Sequence, residues 1–237
     1  RRSPEHSPHN LERALVARLR DARFFWDADR RTTLEEHLPR LDTVLFHKRL
    51  GSYRAKSERL ERLAGWLADE VFDTPASAAS ARQAGRLAKV DLATDMVREL
   101  TELQGTMGGI YAREEGLPED VWKAIYFHYM PLGVEADAPP SRADLKSGAT
   151  VWAAVSVADK LDTVVGLFAA GERPTGTRDP FGLRRQAQGL LRTLVDLPEL
   201  VGVDRPLPMA RMLAEARAGV GPVPYAETEP AVWMKAA

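Results

Sequence analysis

Asp159, Lys160 and Asp162 sit in the middle of a stretch that is otherwise apolar nearly all the way round, where Val151, Val155, Leu161, Val164, Val165 and Phe168 cover more than one face of a helix. Steps of three or four residues put Val151, Val155, Asp159, Asp162 and Gly166 on one stripe, so both carboxylates are expected to point at least partly inward. A buried carboxylate is costly unless it is paired, protonated or bound to a cation. Two more polar clusters interrupt apolar patterns: His47, and Lys89 with Asp91. A histidine and separated carboxylates gathered in a helical bundle are a common way to build a divalent-metal site, and the chemistry such a site serves is hydrolysis of phosphate esters.

A second kind of chemistry follows the same stretch. The helix is expected to stop at Gly171, and ERPTGTRDP reads as a loop of fixed turns set by Pro174, Gly176 and Pro180. Asp179 is placed to cap a new helix with Pro180 at its first position and Arg184 and Arg185 in its second turn. A helix N-terminus beside Thr175, Gly176, Thr177 and Arg178 suits a phosphate. The same residues also make an ordinary capped helix hairpin with solvated arginines, and both readings stand at this point.

The elements that must position these groups are all helical. Residues 1–10 read as a polar lead-in, and Leu11, Leu15, Leu19, Ala22, Phe25 and Trp26 repeat at helical spacing. Thr32 or Thr33 with Glu35 and Glu36 opens a short helix, and Pro39 starts or kinks the next. Tyr53 to Val71 is a long amphipathic helix with Leu60, Leu63, Ala64, Leu67 and Val71 on its core face. From Pro75 an alanine-rich helix is expected to run about six turns, which would align Asp91, Asp95 and Glu99 on one face, either as an exposed acidic ridge or opposite cations such as Lys89, Arg98 and Lys160. Gly105, Gly108 and Gly109 form a small-residue surface for close packing. Val121, Trp122, Ile125 and Tyr129 line the next helix, which also carries His128. Proline-rich connectors surround Pro139 and Pro140, and then Pro198, Pro206 and Pro208, and a short helix spans Met209 to Ala218. With no period-two run bounded by turn signals, no phosphate loop, no heptads and no internal repeat, the expected fold class is all-α: a multi-helix bundle with long proline-rich connectors.

A chain of 237 residues with 44% hydrophobic and 28% charged residues falls in the ordinary soluble globular class. A formal net charge of −1 leaves no global electrostatic case for nucleic acid, so any such contact must come from a local patch. The absence of Cys excludes disulfides, thiolate metal sites and cysteine nucleophiles, and fits the cytoplasm. No apolar run reaches the ~20 residues of a membrane span, so no membrane partner is expected. Both ends read as cuts from a longer protein, the last residues, EPAVWMKAA, as the first turns of a helix that ceases.

An all-α architecture with a histidine, a paired site and a late aspartate resembles the HD superfamily of metal-dependent phosphohydrolases. Mapped here, its ligands fall on His47, Val90-Asp91 and Asp159. Val90 stands where a metal-binding imidazole belongs and offers no lone pair, so a metal on the remaining three residues would be weakly held. An active phosphohydrolase is therefore the disfavoured alternative.

LRDARFFWDADR (Leu19 to Arg30), LPRLDTVLFHKRLGSYRAKSERL (Leu38 to Leu60), AGRLAKVDLATDMVRELTELQGTMGGIYA (Ala84 to Ala112), FHYMP (Phe127 to Pro131), ADKLDTVVGLFAAGERPTGTRDPFGLRR (Ala158 to Arg185) and YAETEPAVWMKAA (Tyr225 to Ala237) cover about half of the chain. Together they resemble the HD-like middle region of the β subunit of bacterial heterotetrameric glycyl-tRNA synthetase. The resemblance implies an HD-like helical domain at residues 11–197 and, at 198–237, a loop leading to the next helical region. It also implies a helical scaffold that contributes to tRNA recognition and subunit assembly and is itself non-catalytic, with no cofactor of its own. The partners implied are the α subunit, which carries ATP and magnesium, and tRNA(Gly), with no DNA. His47, Lys89, Asp91, Asp159, Lys160 and Asp162 look like a degenerate HD site in which a charge network replaced the metal. Thr175, Thr177, Arg178, Arg184 and Arg185 look like the contact for a tRNA phosphate or a partner-subunit carboxylate, because arginine forks bind both.

Overall fold

The computed structural model describes residues 8–132 and 140–223. Its helices are α1 (Pro8–Asp29), α2 (Leu34–His37), α3 (Tyr53–Trp66), α4 (Ala78–Leu87), α5 (Asp95–Glu99), α6 (Thr106–Glu114), α7 (Glu119–Phe127), α8 (Arg142–Leu145), α9 (Ala149–Ala169), α10 (Leu183–Val201) and α11 (Met209–Val220). Among the described residues the fold is all-α apart from a small antiparallel hairpin, β1 (Leu45–His47) and β2 (Gly51–Ser52). The sequence reading had no strand here. Two strands of three and two residues are too short for a period-two pattern to register, and tertiary contacts rather than propensity hold them.

α9 is the axis of the bundle, buried at every position from Val151 to Thr163. α3, α4, α7, α10 and α11 surround it, which is why its sequence is apolar on more than one face. It ends where Gly171 adopts φ +84°. There Gly171 N–H donates to the Phe168 carbonyl at 3.0 Å and Glu172 N–H to that of Leu167 at 2.9 Å, so the last carbonyls are satisfied as the chain turns away. α6 and α7 form a close pair because Gly109 faces Tyr126, where a methyl group would lie 2.4 Å from the Tyr126 Cβ.

Local signals for helix starts are visible in the contacts. Thr33 caps α2 in a reciprocal box with Glu36, and Pro39 sits at the start of the 3-10 turn Leu38–Thr43. Four expectations need correction. The six-turn helix from Pro75 is broken into α4, a 3-10 turn at Val90–Ala93, and α5. Thr94 and the Asp29 carboxylate, which accepts from the N–H groups of Asp95 and Met96 at 2.9 and 3.0 Å, restart the helix at α5. Asp91, Asp95 and Glu99 therefore do not form one ridge: Asp91 is fully buried, Asp95 half-buried and Glu99 exposed. Pro198 lies inside α10 instead of in a connector. Residues 8–10 belong to α1 instead of the lead-in, while residues 1–7 and the helix expected at EPAVWMKAA lie outside the described residues. In α1, Ala22, Phe25 and Trp26 pack on the core while Leu15 and Leu19 stay exposed. Met212 and Ala216 of α11 join the same core as α3 and α9.

Candidate functional site

The inward stripe of α9 delivers Asp159 and Asp162 to the interior, each at most 3% exposed. α3 meets them with two cations. Lys56 Nζ lies 3.0 Å from Asp159 Oδ1 and 3.0 Å from Asp162 Oδ2, and donates to Thr163 Oγ1 at 2.8 Å. Arg59 forks onto Asp162 from the other side, with Nε to Oδ1 at 2.6 Å and Nη2 to Oδ2 at 3.2 Å. Lys89, in the break after α4, donates to Asp159 Oδ2 at 2.7 Å and to His128 Nε2 at 2.9 Å, and its ammonium lies 3.7 Å from the centre of the Tyr129 ring. His128 Nδ1 bonds the Ile125 carbonyl at 2.6 Å, so that nitrogen carries the proton and Nε2 is the lone-pair acceptor for Lys89.

The electrostatics follow from this arrangement. Burial alone would raise Asp159, but the ammoniums of Lys56 and Lys89 outweigh it and hold the carboxyl far below the usual range. Asp162 is lowered in the same way by Lys56 and Arg59. Lys56, flanked by two carboxylates, stays above its ordinary value despite burial. Burial pulls Lys89 down to about 8, with Asp159 pulling the other way, and pushes His128 well below its ordinary value. Removing one partner from such a buried set costs about 3–5 kcal/mol, because the remaining charges stay in the interior uncompensated.

The other members of the anticipated network take different hydrogen-bond partners. Among the described residues Lys160 has no ion pair; it donates to the carbonyls of His128 and Met130, both at 3.1 Å, and to Ser156 Oγ at 2.7 Å, and burial lowers it to about 7. Asp91 Oδ2 accepts from the N–H groups of Gly105 at 2.6 Å and Gly108 at 3.1 Å, at the head of α6, while its Oδ1 has no hydrogen-bond partner among the described residues. Burial pushes this carboxyl up to about 6, the two backbone donors offsetting part of the rise. His47 Nδ1 accepts from the Arg49 N–H at 3.2 Å, so Nε2 carries the proton it shares with Glu172 Oε1 at 3.1 Å. His47 is thus an anchor for the chain beyond α9, edge-on to the Phe181 ring.

A divalent cation does not fit these residues. Two ammonium groups lie against Asp159, both nitrogens of His47 are committed elsewhere, Val90 supplies no donor, and among the described residues no three His, Asp or Glu side chains gather as a ligand set. Sequence reasoning missed Lys56, Arg59 and His128. A signal existed for two of them. Lys56 falls on the same stripe as Leu60, Leu63 and Leu67, and His128 on that of Val121, Ala124 and Ile125.

The second candidate site is an exposed turn. Thr175 and Arg178 exchange both backbone hydrogen bonds, Thr175 N–H to Arg178 O at 3.0 Å and Arg178 N–H to Thr175 O at 2.8 Å, around Gly176 with φ +50°. Thr175, Thr177, Arg178, Arg184 and Arg185 are all exposed. α10 begins at Leu183, three residues later than expected, which moves Arg184 and Arg185 into its first turn. Asp179 spends both carboxylate oxygens on the N–H groups of Leu183 and Arg184, at 2.8 and 2.9 Å. The anion position at this helix N-terminus is therefore filled from within, and what remains for an external phosphate is the arginine side chains.

A family model described as glycyl-tRNA synthetase beta subunit matches residues 2–223, spanning both sites. The chain belongs to this family. Glycine–tRNA ligase beta subunits that it resembles include that of Phenylobacterium zucineum, 49% identical over 184 residues, covering 78% of this chain and 26% of the relative. That of Aromatoleum aromaticum is 46% identical over 211 residues, covering 89% and 28%, and that of Cronobacter sakazakii 46% identical over 185 residues, covering 78% and 25%. The chain thus spans about a quarter of the length of the curated relatives it matches. Neither this β-subunit match nor the lysine-filled site supports a metal-dependent phosphohydrolase.

Proposed function

We propose that this region serves the synthetase β subunit as a helical scaffold that contributes to tRNA recognition and to assembly with the α subunit. The overall reaction is the cytoplasmic synthesis of glycyl-tRNA from glycine, ATP and tRNA(Gly). Amino-acid activation, with its ATP and magnesium, belongs on this reading to the α subunit, and the lysine-filled interior here is structural. The observation that carries the tRNA contact is the cluster of exposed arginines Arg178, Arg184 and Arg185 on a turn pinned by its own backbone and by Asp179, inside the span matched by the family. Planar guanidinium forks on a rigid turn suit phosphate oxygens and read backbone shape instead of base sequence.

The test is the Arg178→Ala/Arg184→Ala/Arg185→Ala variant of the full-length β subunit, assembled with α. The expected result is a loss of tRNA(Gly) affinity of roughly 10-fold or more at moderate salt, with glycine-dependent activation of ATP and the size of the complex unchanged. Unchanged tRNA affinity would overturn the RNA contact. A failure to assemble with α would instead assign these arginines to the partner subunit.

A further inference from the structure

A cleft of about 430 Å³ opens between the Gln104–Thr106 turn, the end of α7 and the start of α10. Its walls are held by three polar side chains, two of them buried. Asp91 pins the first wall through the N–H groups of Gly105 and Gly108. Gly105 is at φ +80°, and a methyl group there would lie 2.7 Å from the Tyr129 ring, so turn and ring are in direct contact. Lys160 pins the second wall through the carbonyls of His128 and Met130, and Asp179 pins the third through the N–H groups of Leu183 and Arg184. A cleft held on three sides is pre-organised and loses little on binding.

Its lining combines the rings of Tyr126 and Phe181, the amides of Gln104 and Gln186, the buried Lys160 and the exposed Arg185. Rings offer a stacking face that any base satisfies, amides offer paired donors and acceptors for a base edge, and an arginine takes the phosphate. The volume lies within the ~300–1,000 Å³ of small-ligand pockets and excludes a duplex. We propose that this cleft receives a single unpaired nucleotide of the bound tRNA, its base against Tyr126 and Phe181 between the two amides and its phosphate on Arg185. The proposal rests on the tRNA reading above, and makes the anchors of the degenerate site positioning residues for RNA.

The experiment uses the full-length α–β complex and two probes, tRNA(Gly) and a fluorescently labelled single-stranded RNA tetranucleotide. Two cleft variants are compared with the wild type: Gln104→Ala/Gln186→Ala, and Phe181→Leu, which keeps an apolar contact for His47 but removes the stacking face. Arg178→Ala/Arg184→Ala, outside the cleft, is the control, and thermal unfolding checks that each variant is folded. Each cleft variant is expected to weaken tetranucleotide binding by about 5- to 100-fold and tRNA binding by a smaller factor, while the arginine control weakens tRNA binding alone. If the cleft variants bind both probes as the wild type does while the control still loses tRNA, the cleft proposal fails and the tRNA reading stands. If the control also binds tRNA normally, the tRNA reading itself fails. A free nucleoside monophosphate that binds the wild type and not the cleft variants, with tRNA affinity untouched, would make the cleft a metabolite pocket and overturn the proposal.

Discussion

Asp159 is the residue on which the interior turns, because a carboxylate this deep must be compensated by positive charge, protonation or hydrogen bonds. Two lysines supply the two charges that a divalent cation would bring, Lys56 from α3 and Lys89 from the break after α4. Asp91 is met differently, by the backbone N–H groups of Gly105 and Gly108, and burial pushes its carboxyl up to about 6. A folded-state value above the unfolded one, ~3.9, means that protonation of Asp91 favours the fold. Its contribution is complete below about pH 4 and is lost as the pH rises through about 6. In Asp91→Asn that titration is gone. The stability of the variant relative to the wild type is therefore expected to fall by about 2 kcal/mol on going from pH 7 to pH 4, read from urea unfolding at the two pH values. Parallel curves for the two proteins would show that Asp91 does not titrate in this window. The carboxylates themselves were legible in the sequence, since they break an apolar stripe. Their partner Lys56 was not, although it breaks the stripe of α3 in the same way, because a single lysine at helical spacing looks like any solvated position until the helix opposite is known.

Among the elements, the crossing of α3 and α4 sets how closely Lys56 and Lys89 approach the same carboxylate. Gly85 makes that crossing possible: a methyl group on it would lie 2.7 Å from the Leu60 carbonyl oxygen and 2.9 Å from the Leu60 carbonyl carbon. Backbone cannot rotate out of the way as a flexible side chain can. Gly85→Ala, which raises helix propensity in isolation, is expected to destabilise the fold by about 1–3 kcal/mol, measured by thermal unfolding. A rise in melting temperature would mean that the helices separate without penalty. Where α4 stops was not legible, because alanine-rich sequence carries on past Leu87 and local propensity favours a continuous helix. The break is decided by tertiary partners, with Asp29 of α1 capping α5 from a distance of 66 residues in sequence. The ends that were legible are those with local chemistry, the Thr33–Glu36 box and Gly171 after α9.

For the chain as a whole, a net charge of −1 means that the proposed nucleic-acid contact would be a local footprint on a neutral body. The arginine cluster should then account for a small, countable share of the electrostatics. The salt dependence of tRNA binding by the full complex, plotted as log affinity against log salt, is expected to become shallower by about 2–3 in the triple arginine variant. An unchanged slope with weakened affinity would mean that the arginines act through the fold and not on phosphate. Sequence alone determined the helical class, because periodicity and composition are local properties of the chain, and it determined the β-subunit family, because runs such as ELQGTMG and DPFGLRR are specific in themselves. It also determined that the carboxylates inside α9 must be paired, protonated or bound to a cation. Which cations answer was settled only by packing, since Lys56 and Arg59 lie about a hundred residues from the carboxylates they neutralise. Packing also decided that His47 holds a loop and that Lys160 and Asp91 fix the walls of a cleft, because a buried polar group takes whichever partner the surrounding helices bring within reach.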